Sequence, residues 1–135
     1  MQKSNKFRQK AGQIVIPSGT SPWPHELRIA VILSNAGYRV EFIHEYNSAK
    51  TADFLLNGVP YELKSPKSSK IDAVERNLKR ATKQSRNIVF DSSRMKNLRD
   101  DKIRGNLIFQ AKHQKLIDNI IFIDKHGRIN ILTSD

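Results

Sequence analysis

The chain contains no cysteine, so neither disulfides nor thiolate metal sites can stabilise it or run its chemistry, and its redox compartment is left open. Long apolar runs are missing as well. The longest, such as Ile29 to Leu33, fall far short of a membrane span. No segment joins a strong apolar face to a Lys/Arg-rich one with flanking Trp or Phe anchors, which removes the usual membrane-surface helix. The four histidines, His25, His44, His113 and His126, are scattered without ligand-like spacing and argue against zinc. Residues Met1 to Lys10 are polar and basic with no apolar stretch of signal-peptide length, so this stretch is read as carrying no export address. Acidic residues are few. Against 13 Asp plus Glu stand 24 Lys plus Arg, and the net charge of +11 favours encounter with a polyanion but leaves the outcome of contact open.

A length of 135 residues suits one domain with a single core. Residues 1–20 read as a partly ordered lead-in around Ile14-Val15-Ile16, and residues 21–135 as one globular unit. Ser21-Pro22-Trp23-Pro24-His25-Glu26 has Ser, Pro and an acid placed to start a helix. That helix is expected to run from Pro24 to Ala36, with Ile29, Ala30, Leu33 and Ala36 on one face and Gly37 as its stop. Tyr38 to His44 alternates like a strand. Thr51–Leu56 and Val59–Lys64 form a hairpin across Asn57-Gly58, two residues that tolerate positive φ. Pro60 asks for a partly free edge on its N–H side.

Ile71 to Ser85 sets Ile71, Val74, Leu78 and Ala81 on one face of a basic amphipathic helix. Asn87–Asp91 is a short apolar strand, and Arg94 to about Lys115 a largely helical stretch interrupted at Gly105. Asn119–Asp124 and Arg128–Leu132 form a second hairpin across Lys125-His126-Gly127. The order from Pro24 onward is αβββαβαββ, an α/β fold with a mixed central sheet flanked by helices.

A two-residue turn at Asn57-Gly58 would set Asp53 opposite Glu62, and the period-2 alternation of a strand puts Lys64 on the face of Glu62. Opposed acids repel unless something positive lies between them, and a cross-strand separation of roughly 5 Å leaves room for a shared cation. Mg²⁺ or Mn²⁺ suits such oxygen ligands, and a neighbouring Lys can orient water or stabilise developing charge. The bland alternative is an ordinary polar strand face, since Glu-x-Lys alone is common.

Asp53, eight residues, then Glu62-Leu63-Lys64 within αβββαβ resembles the PD-(D/E)XK nuclease superfamily, with Ala52-Asp53 in place of Pro-Asp. More narrowly, four segments in order are similar to the C-terminal toxin domains of contact-dependent growth-inhibition proteins. They are Pro24-His25-Glu26-Leu27, Ala52-Asp53, Gly58-Val59-Pro60-Tyr61-Glu62-Leu63-Lys64-Ser65-Pro66 and Ala81-Thr82-Lys83-Gln84-Ser85, and the match spans about residues 20 to 125. The resemblance implies a nuclease, often of tRNA, carried by a larger secreted effector into the cytoplasm of neighbouring bacteria. It also implies a cognate immunity protein, expected to be acidic because complementary charge speeds capture. A cytoplasmic protein fits the sequence equally well.

The resemblance makes Asp53, Glu62, Lys64, Glu26 and Gln84 the catalytic set and Asp53, Glu62 and Glu26 the metal ligands, with no organic cofactor. Glu26 also lines up with Ile29, Ala30 and Leu33 on the sheet-facing side of its helix; the competing role is a first-turn acid serving the helix dipole. Gln84 could instead be solvated or capping. Arg76, Lys79, Arg80, Lys83 and Arg86 are candidate phosphate contacts, against the alternative of a solvated face. Trp23 and Tyr61 could stack on a base or simply pack, and His25 is at a helix start. Composition and spacing do not separate RNA from DNA. A restriction- or repair-type DNA endonuclease, a non-catalytic basic binding module and a metal-independent ribonuclease stay open.

Overall fold

A computed structural model describes residues 12–44 and 51–133. Seven strands form one mixed sheet whose spatial order follows the sequence. They are β1 (Ile14–Val15), β2 (Val40–Phe42), β3 (Phe54–Leu56), β4 (Val59–Lys64), β5 (Asn87–Asp91), β6 (Asn119–Ile123) and β7 (Ile129–Thr133). Helix α1 (Pro24–Asn35) joins β1 to β2, α2 (Asp72–Ala81) joins β4 to β5, and α3 (Asp100–His113) joins β5 to β6. Pairing is parallel for β1/β2, β4/β5 and β5/β6, and antiparallel elsewhere. From α1 onward the expected element order is the observed one. The lead-in contributes β1, so ordered structure starts ahead of Ser21; residues 1–11 lie outside the described set.

Two apolar layers sandwich the sheet. Ile29, Ala30 and Leu33 of α1 pack on Val40, Phe42, Phe54, Leu63, Val89 and Ile121. Val74, Leu78 and Ala81 of α2, with Ile103, Leu107 and Ala111 of α3, pack on Ile88, Phe90, Ile120 and Phe122. Two successive crossovers moving the same way across a sheet place their helices on one face, which is why α2 and α3 share a layer. Strands β5 and β6 are apolar on both faces because helices cover both.

Asn57 (φ 50°) and Gly58 (φ 87°) make the hairpin turn in the left-handed conformations it requires. Pro60 pairs with Leu55 on one side, and β5 joins β4 only from Glu62 onward, so the missing N–H faces no strand. One helix differs from expectation. Rather than beginning at Arg94 and breaking at Gly105, α3 starts at Asp100 and runs unbroken to His113. Asn97 at φ 64° prevents an earlier start, and Asp100 and Asp101 place negative charge in the first turn. Burial of Ile103, Leu107 and Ala111 outweighs the roughly 1 kcal/mol that one exposed helical glycine costs.

Candidate functional site

The site sits where the β3–β4 hairpin meets the rest of the sheet. Glu62 and Lys64 project from one face of β4, as the period-2 alternation of a strand requires, and the Lys64 Nζ lies 3.5 Å from Glu62 Oε2. Glu62 is 7% exposed, and its Oε1 has no hydrogen-bond partner among the described residues. Burial first, and then the charge and hydrogen bond of Asp53, push its carboxyl up to about 8, with Lys64 opposing.

Asp53 arrives differently from expectation. Its N–H donates to the Tyr61 carbonyl at 3.1 Å, although Tyr61 is the register partner of Phe54, so the ladder slips by one residue in the manner of a β-bulge. Asp53 is therefore not stationed directly opposite Glu62. Its Oδ2 instead accepts the Leu63 N–H at 2.6 Å, where regular pairing would call for a backbone carbonyl, and the carboxylate still reaches Glu62.

Asp53 and Glu26 line one cleft of about 300 Å³, together with Thr20, Trp23, Phe42 and His44. Glu62, Lys64 and Gln84 are not part of its wall, so Asp53 is the residue common to the cleft and the β4 cluster. Glu26 has a local duty as well: its Oε1 accepts the Trp23 N–H at 2.7 Å, half of a capping box at the start of α1. Among the described residues no three acidic or histidine side chains stand close enough to hold one ion between them. The structure thus brings Asp53 and Glu62 together and leaves Glu26 in the cleft beside them. This pair suits a hard divalent cation that is completed by water and substrate oxygen, and once the Glu62 carboxyl ionises its Oε1 is an acceptor without a partner among the described residues.

Gln84 follows α2, and its neighbour Ser85 donates to the Pro60 carbonyl at 2.9 Å, which ties this segment to β4. Gln84 Oε1 and Thr51 Oγ1 are also buried without a hydrogen-bond partner. The basic residues of this region are partly balanced: Arg76 pairs with Asp72 at 3.2 Å, Lys79 with Glu75 at 2.9 Å and Arg86 with Asp118 at 3.1 Å. Arg80 and Lys83 are exposed. Trp23 is 68% exposed at the cleft lip, whereas Tyr61 is half-buried against the α1 layer.

A polar cluster that sequence reasoning missed holds the end of β4. Asp91 is fully buried, accepts from the hydroxyls of Ser65 and Ser93 and from the Ser93 N–H, and lies 3.5 Å from Arg28 Nη1. An acid closing an apolar strand was the available signal.

The family model of the contact-dependent growth inhibition CdiA C-terminal domain matches residues 50–129, more than half of the chain. The chain belongs to that family. A solved structure, the CdiA-CT/CdiI toxin and immunity complex from Burkholderia pseudomallei, contains a chain similar to this CdiA C-terminal domain at 22% identity and a TM-score of 0.67. The likeness covers 90% of this chain and 99% of that one, and it concerns the fold. No curated protein matches this CdiA C-terminal domain. Among its described residues, no helix is long and apolar enough to cross a membrane.

Proposed function

We propose that this CdiA C-terminal domain is a toxin nuclease of the PD-(D/E)XK type, hydrolysing phosphodiester bonds in RNA, with tRNA as the substrate that the family resemblance favours. The observation that carries the reading is the Glu62 carboxylate, buried beside Asp53 with one oxygen unpartnered and the Lys64 ammonium 3.5 Å away. The run α1-β2-β3-β4-α2-β5 has the αβββαβ order of that superfamily, and the +11 charge suits a phosphate backbone.

Asp53 and Glu62 would hold Mg²⁺ or Mn²⁺, with Glu26 assisting from the cleft. Such an ion, when bound, supplies Lewis-acid polarisation of the scissile phosphate. Glu62 must release its proton before both carboxylates can act as ligands, so proton and ion compete for the site, and the Mg²⁺ concentration needed for half-maximal cleavage is expected to fall as pH rises toward about 8, where the ion-free carboxyl titrates. Lys64 is placed to donate to the incoming water or to a non-bridging oxygen as charge develops. Gln84 would offer its amide at the β4 side. Delivery into the cytoplasm of a neighbouring cell as part of a larger effector, and restraint by a cognate acidic immunity protein, belong to the same proposal. The complex named for the Burkholderia structure supports an immunity partner, and the acidity is expected from the +11 charge of this chain.

Purified protein incubated with total tRNA or plasmid DNA, each with Mg²⁺ or EDTA, tests the reading. Expected is tRNA cleavage that EDTA abolishes, that Asp53→Asn and Glu62→Gln lose, and that Lys64→Ala slows by about 100- to 1,000-fold. Cleavage of plasmid alone would make it a DNA endonuclease. Binding without cleavage would make it a binding module, and full activity in EDTA would remove the metal.

A further inference from the structure

At the carboxyl ends of β4 and β5 lies a second cleft, of about 550 Å³, lined by Lys67, Ser69, Ser93, Arg94, Lys96 and Asn97. Three cations and three neutral hydrogen-bonding side chains face it, with no acid and no apolar side chain in the lining. Among the described residues neither Lys67 nor Lys96 has an ion-pair partner, in contrast to Arg76, Lys79 and Arg86 near α2. Arg94 is fixed. Its Nε and Nη2 donate to the Ser65 carbonyl at 3.0 and 2.5 Å, one residue beyond Lys64, which leaves its remaining N–H groups for a ligand. The acid beneath, Asp91, is fully buried and balanced by Arg28 and by its Ser65 and Ser93 donors, so it does not cancel the cleft's field.

We propose that this cleft binds the phosphodiester backbone of the substrate, with Lys67, Arg94 and Lys96 contacting phosphates next to the one that is cut. The placement beside the scissile phosphate rests on the nuclease reading; the backbone binding does not. Protein interfaces centre on apolar and aromatic side chains, which are absent here, whereas a pre-fixed guanidinium flanked by unpaired ammonium groups and short polar donors suits phosphate.

The test is the affinity of the full chain for labelled tRNA in EDTA, measured across a salt series, for wild type, Lys67→Ala/Lys96→Ala and Lys112→Ala/Lys115→Ala. The last pair removes the same charge at and beyond the end of α3. Each phosphate contact contributes about 0.7 on a single strand to about 0.9 on a duplex to the slope of log affinity against log salt, so on tRNA the cleft pair is expected to flatten it by about 1.4–1.8. The α3 pair leaves the slope unchanged. An unchanged slope in the cleft pair, an equal loss in both pairs, or no binding by wild type overturns the proposal. So does a cleft-pair loss seen only for poly-glutamate, which would mark a surface for an acidic protein. The two proposals fail separately: a difference in slope without cleavage in either Mg²⁺ or EDTA keeps the cleft and ends the nuclease, and cleavage with an unchanged slope does the reverse.

Discussion

The carboxylate of Asp53 closes the ladder on the Leu63 N–H and also reaches Glu62, so one side chain serves both the sheet and the candidate site. Substitution with Ala would leave a backbone donor unsatisfied, a loss of about 1–3 kcal/mol, which is why the Asn variant is the cleaner probe. Glu62 gives a sharper expectation. Its folded carboxyl titrates near 8 against an ordinary 4.5, so between those values the folded protein keeps a proton that the unfolded chain has released. More protons on the folded state means that stability falls as pH rises through that window and levels off above it. Glu62→Gln cannot ionise and escapes the fall. In EDTA its melting temperature is expected to match wild type near pH 4.5 and to exceed it at pH 9; equal gaps at both would mean that the burial does not act on ionisation.

Helix α3 carries the expectation at the scale of the element. Gly105 is exposed at mid-helix, and a Cβ built there meets nothing within 4 Å. Gly105→Ala should raise stability by about 0.5–1 kcal/mol, read as a shift of the urea midpoint with an unchanged slope. A destabilised variant would mean that the glycine serves a close contact. The same helix marks how far the sequence could be read. Strands β4 and β5 were legible to the residue, because Asn57-Gly58 pins one hairpin end and Asn87 and Asp91 bracket an apolar run too short for a helix. Gly105 looked like a break because propensity is local, and the apolar stripe of Ile103, Leu107 and Ala111 that overrides it counts only once β5 and β6 lie beneath. The slip at Asp53 was hidden since turn chemistry sets register near the turn and says nothing three pairs away. That Glu62 and Lys64 share one face of β4 was readable from period 2 alone. The Lys67, Arg94 and Lys96 cleft was not, because two loops far apart in sequence build it.

For the whole molecule the deciding feature is the order of the sheet, in which every strand lies beside its neighbours in the chain. Such a sheet can grow from one end, since no strand has to insert between two that have already paired. Loop closure is then taken in short steps rather than one long one. Refolding from urea should accordingly show one dominant exponential on a scale of about milliseconds to 1 s, followed by a minor phase of roughly tens of seconds from isomerisation at the five prolines. A burst phase, or a second phase faster than proline isomerisation, in stopped-flow fluorescence of Trp23 would count against it. Growth from one end would also order the assembly of the candidate site: the hairpin bearing Asp53, Glu62 and Lys64 would close early, but β5 pairs with β4 at Glu62 and must dock before that carboxyl is sealed from water. A partly folded chain would therefore carry all three groups and none of their electrostatics, and activity would appear only when the fold is complete.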